Sequence, residues 1–127
     1  MRRHSPAAIW LVATCLVPEL TLGHHGTAAY DRGTTAALEG TVQRFAWENP
    51  HALIYVEATT PRGDTEQWVV ETAGLVILAR AGWHKATLQP GIRCKILGHP
   101  ARNGSRTMIL ERVLTPDSQY LRDLTPK

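Results

Sequence analysis

The chain has 127 residues, with 14 Lys and Arg against 11 Asp and Glu, so it is long enough for one domain of ordinary polarity. Two cysteines and 43% hydrophobic residues exclude a disulfide-stapled miniprotein and a disordered chain, and a formal charge of +3 excludes a strongly basic nucleic-acid binder.

Residues 1–23 read as a secretory signal. Arg2 and Arg3 supply a positive start, Ala7 to Val17 an apolar run, and Thr21 and Gly23 the small residues that precede a cut before His24. The run is far short of the roughly 20 residues that cross a bilayer. No later apolar stretch exceeds Leu75 to Ala79, so no transmembrane segment is expected in the mature protein and its expected location is periplasmic or secreted. A lipoprotein signal ending at Cys15 fits less well, because Thr14 stands where Gly, Ala or Ser is wanted and Cys15 falls inside the apolar run. Cleavage removes Arg2, Arg3 and Glu19, leaving 104 residues at net charge +2 with Cys94 as the lone cysteine. Ile92, Cys94 and Ile96 alternate with Arg93 and Lys95, which predicts a buried thiol on a strand rather than a nucleophile.

Residues 24–37 are small, polar and aperiodic, an N-terminal arm. The domain expected at 38–114 has five short β-branched or aromatic stretches: Glu39–Trp47, Ala52–Thr59, Gln67–Thr72, Ile92–Gly98 and Thr107–Leu114. Pro61 to Asp64 turns the second stretch into the third, and Asn103-Gly104 sits in the turn between the last two. Ala73–Arg80 reads as a short helix closed by Gly82, and residues 115–127 as a surface tail. Three strands, one helix and two strands predict an all-β, five-stranded Greek-key barrel of the OB-fold kind, with an SH3-like barrel or a small open sheet as alternatives. Ile54, Val56, Trp68, Cys94 and Ile96 are its expected core.

His24-His25-Gly26, Tyr30-Asp31, Gly40-Thr41-Val42, Trp47-Glu48-Asn49-Pro50-His51, Gly82-Trp83, Leu88-Gln89-Pro90-Gly91 and Gly98-His99-Pro100 together resemble an uncharacterised family of small exported bacterial proteins. That family shows a His-His-Ser start after the signal, a Trp-x-Asn-Pro-His segment, a Gly-Trp and a Pro-Gly. Gly26 departs from its usual Ser. The resemblance implies export and one small domain, and it implies no reaction.

Two groups of residues carry possible chemistry. A cut before His24 gives it a free α-amine beside its imidazole, a copper chelate that His51 would complete better than the adjacent His25. A cut one residue earlier would put His25 third, the amino-terminal copper and nickel motif. The second group is a rim in which the turn between the first two strands, with Trp47, Glu48, Asn49 and His51, meets the turn after the fourth, with His99, Arg102 and Arg106. Such a rim suits a small anionic or sugar-like ligand, or a partner protein of the cell envelope. Single-stranded nucleic acid, the habitual OB-fold ligand, is not expected for an exported domain of this charge. No catalytic residue is assigned: there is no nucleophile elbow or phosphate loop, and the spacing of Glu48 and Glu71 does not mark them as an acid and base pair.

The leading functional expectation is therefore a periplasmic binding or accessory module working through the rim around His51. The alternatives are a copper-binding or copper-dependent redox protein, and a structural envelope protein that docks by its edge strands.

Overall fold

Alternation along the strands decides which way the sheet faces. Ala52, Ile54, Val56 and Ala58 are buried, while His51, Leu53, Tyr55 and Glu57 between them stay half-exposed. A computed structural model describes residues 26–116 and 120–122. The segment expected to be a signal, with His24 and His25, lies outside the described residues. A 3-10 turn (Thr27–Ala29) precedes β1 (Ala36–Ala46), β2 (His51–Thr59), β3 (Thr65–Gly74), α1 (Leu75–Arg80), β4 (Arg93–Pro100), β5 (Thr107–Leu114) and β6 (Tyr120–Arg122).

The strands run in the order β3-β2-β1-β4-β5 as antiparallel neighbours, and a parallel pairing of Val69–Glu71 with Thr107–Ile109 closes the sheet on itself. With α1 between β3 and β4, this is the OB-fold topology expected from the sequence. Closure needs a sharp corner in β1, where Gly40 pairs with Ala58 on one side and Cys94 on the other. A Cβ there would fall inside the Glu57 carbonyl group, which explains the glycine.

Ile54, Val56, Val70, Leu78, Ile96, Met108, Leu110 and Val113 are fully or almost fully buried in one cluster, which Cys94 joins as expected. Burial pushes the Cys94 thiol up to about 11. Trp68 differs from expectation. It packs against this core but stays half-exposed, its indole N–H reaching Glu66 at the start of β3.

Helix α1 starts at Leu75 and not at Ala73, because β3 keeps pairing with β2 as far as Gly74 opposite His51. It ends in a Schellman motif: Trp83 N donates to Leu78 O at 2.9 Å and Gly82 N to Ala79 O at 3.0 Å, with Gly82 at φ +88°. The expected tail also contains a strand. The parallel pairing with β3 covers only Thr107–Ile109, so the edge of β5 is open further on, and residues 120–122 pair with Arg112–Leu114.

Candidate functional site

The β1–β2 turn holds Trp47 to Pro50, and its Asn49–Pro50 peptide is cis. Trp47 packs edge-on to Phe45 (5.8 Å), which in turn meets Trp83 (6.0 Å), so Trp47 is tied to the core; Glu48 and Asn49 are exposed. His51 opens β2 opposite a bulge in β3: the register passes from His51–Gly74 to Leu53–Glu71, leaving Thr72 and Ala73 both turned inward and buried. The bulge aims the Thr72 carbonyl at the His51 ring, whose Nδ1 donates to it at 3.0 Å. This bond fixes the proton on Nδ1. Nε2 then faces Glu71 Oε1 at 3.7 Å.

Glu71 is held from its other side by the arm. Its Oε2 accepts a 2.7 Å hydrogen bond from the Tyr30 hydroxyl. Tyr30 bridges to Ala101, Asp31 N donates to Pro100 O (2.8 Å) and Arg102 N to Ala29 O (2.9 Å), so the arm is stitched to the end of β4 and the turn after it. Tyr30 and Ile109 are both buried yet stand outside the main core cluster. Burial first, then the bond to the Glu71 carboxylate, pushes the Tyr30 phenol well above its ordinary value. Next along the arm, the Thr34 hydroxyl, the Gly33 N–H and, more weakly, Arg102 at 3.6 Å hold the Asp31 carboxyl below its usual range. His99 Nδ1 donates to Thr34 O at 2.8 Å.

The expected single rim is thus divided. Arg106 lies beside the first half of β3, where its guanidinium meets Glu66 Oε1 (3.2 Å) and its carbonyl accepts from Val69 N (3.1 Å). His51 lies beside the last residue of β3. Five residues of strand separate Glu66 from Glu71, about 16 Å. The two turns do not converge, and His99 and Arg102 are engaged by the arm, through Thr34 O and through Asp31 and Ala29 O. Both arginines of the late turn face carboxylates, Asp31 and Glu66, so they do not form an anion-binding pair with His51. A cleft of about 620 Å³ lies elsewhere, lined by Gly40, Thr59, Cys94 and Leu114, and contains none of the expected residues but the buried thiol. Among the described residues no three His, Cys, Asp or Glu side chains converge as a metal cluster.

Tyr30 and Glu71 were not singled out as partners of His51. The hairpin register was the available signal: counting back from the Pro61–Asp64 turn, Thr59–Thr65 pairing leads to Leu53–Glu71, which makes Glu71 a diagonal neighbour of His51 on the same outward face.

Closed topology and an arm strapped across the outer face define a small OB-fold barrel with a polar site at the start of β2. The chain belongs to a family of unknown function, DUF6152, which matches residues 13–110. No curated protein matches it. Among solved structures, a mitochondrial single-stranded DNA binding protein from S. cerevisiae, Rim1, is similar over 71% of this chain and 96% of its own, at 11% identity and a TM-score of 0.49.

Proposed function

We propose that this chain is an exported binding or accessory module, in which the barrel is a scaffold and the outer face around His51 is the site. The observation that carries this reading is the convergence of His51, Glu71 and Tyr30. A histidine immediately after a turn-fixing proline is backed by a buried carbonyl and faces a carboxylate that the arm holds in place. Such second-contact support is what orients a functional side chain. The pairing of Arg102 and Arg106 with acids moves the ligand class away from the anion expected from the sequence.

The second reading, a copper-binding protein using His24 with His51, is favoured by the His51 tautomer. With Nδ1 bonded to Thr72 O, the Nε2 lone pair is the one presented outward, as in ligating histidines. The structural envelope reading has no comparable observation behind it. Native mass spectrometry and metal analysis of protein recovered from the periplasm test both. The binding-module reading expects a bound species that His51→Ala loses, and the copper reading expects that species to be copper and to be lost also when one residue is added ahead of His24. Protein that carries nothing with or without His51 would contradict both.

A further inference from the structure

Resting on the reading that the His51 face is the binding site, we propose that His51 and Glu71 form a two-residue site for a divalent first-row metal ion, with Tyr30 as the residue that positions the carboxylate. The geometry leaves two acceptors facing one another. Nδ1 carries the ring proton because its partner is a carbonyl oxygen, so in the neutral ring Nε2 is a lone pair, and it looks at Glu71 Oε1 across 3.7 Å. Two lone pairs at that separation are drawn together by a positive centre between them, a proton or a metal ion, or are bridged by a water that donates to both. A proton on Nε2 would make the contact an ion pair at 3.7 Å, wider than the roughly 2.7–2.9 Å of a charge-assisted N–H···O bond. A tetrahedral ion with ligand bonds of about 2.1 Å sets the two atoms about 3.4 Å apart. That is a small closing movement for two side chains on neighbouring strands.

The surroundings fit the same assignment. A backbone carbonyl on the far nitrogen of the imidazole and a hydrogen-bond donor on the far oxygen of the carboxylate are the outer contacts that metal ligands characteristically have. Here these are Thr72 O on His51 and the Tyr30 hydroxyl on Glu71 Oε2, which leaves Oε1 for the ion. The Tyr30 hydroxyl donates to Oε2 at 2.7 Å, while Oε1 is the oxygen that faces His51. The His51 side chain is 41% exposed and that of Glu71 19%, so the remaining coordination positions open to solvent. Imidazole with carboxylate suits Zn(II), Cu(II) and Ni(II), and not Mg(II) or Ca(II), which take oxygen ligands alone.

The test is titration of the exported protein with Zn(II) alone and with Cu(II) alone, followed through the His51 ring resonances for zinc and by competition for copper. Each variant is checked for an unchanged circular dichroism spectrum and melting point. We expect zinc to shift the His51 ring, His51→Ala to abolish that site, Glu71→Gln to weaken it by about 10-fold or more, and Tyr30→Phe by a smaller factor. Replacing both His24 and His25 by Ala should preserve the Glu71-dependent binding, which separates this site from a chelate at the chain terminus. If His51→Ala removes binding while Glu71→Gln leaves it unchanged, the two-residue site is wrong and the His51 reading survives. If zinc leaves the His51 ring unmoved and the copper affinity is the same with and without His51, the metal site is wrong, and the bound-species measurement above then decides the binding reading on its own.

Discussion

Two glutamates on one strand show how partners decide what a carboxylate is for. Glu66 lies at the start of the face that carries Trp68 and Val70, opposite buried Ala58, whereas Glu71 lies on the outer face opposite Leu53, and both are partly sheltered, with side chains 29% and 19% exposed. Glu66 meets the Arg106 guanidinium, a permanent cation, and the Trp68 indole, a neutral donor. That carboxylate is neutralised, and the contact closes the β4–β5 turn onto β3. Glu71 meets a neutral phenol and an imidazole whose proton is directed elsewhere. Its negative charge has donors to orient it and no permanent cation to cancel it, which makes it the end of the strand that is available to a ligand.

The largest expected effect breaks both ends at once. Ile54 is fully buried between them, and Ile54→Ala should cost about 2–5 kcal/mol by chemical denaturation; Ile96→Ala, equally buried, should behave alike. An unchanged melting temperature would place these residues on the surface and overturn the registers. Gly40 pairs with Ala58, and Ala58 with Glu66, so Gly40→Ala strains the Glu66 side by pressing a methyl group onto the Glu57 carbonyl. A loss of about 1–3 kcal/mol is expected. Tyr30→Phe keeps the buried ring and removes the bond to Glu71; at this partly sheltered position it should cost about 1–2 kcal/mol and speed amide exchange at Asp31 and Arg102, whose N–H groups hold the arm. Arg106→Ala at the other end deletes a pair with an exposed guanidinium and should cost no more than about 1 kcal/mol.

The smallest effect is a pH dependence that belongs to neither glutamate. Burial raises the Cys94 thiol from 9.0 to about 11. A raised value means that the folded state keeps a proton which the unfolded chain has lost, so the contribution is complete below pH 9 and disappears as pH climbs through 11. Cys94→Ala should therefore flatten the alkaline limb of a stability–pH curve. A limb equally steep in the variant would assign the loss to other groups.

The barrel was legible because its signals are local and repeated: the alternation in β2, the Pro61–Asp64 turn and Gly82 after a short apolar run each specify a piece, and only one small topology accommodates them in that order. The end of β3 was less legible, since sheet pairing against His51 overrides the helical pattern of Ala73 and Gly74. β6 was missed because three residues carry no period. At the site, His51 stood out through its place after Pro50, whereas its partners come from positions 20 residues later and 21 residues earlier. Glu71 could be reached by counting along the hairpin. Tyr30 could not, because the arm is placed by backbone bonds to Pro100 and Ala101 that depend on how the barrel closes. The expected meeting of the two turns failed for the same reason, as β5 joins β3 near its middle and sets the late turn beside Glu66.

The central claim is that Glu71, and not Glu66, is the carboxylate left open to a cation. Parallel zinc titrations of the wild-type protein, Glu71→Gln and Glu66→Gln test it most directly, because the two variants make the same chemical change on the same strand. The account predicts an affinity lowered about 10-fold or more by Glu71→Gln and unchanged by Glu66→Gln. Equal losses in the two variants, or no loss in either, would contradict it.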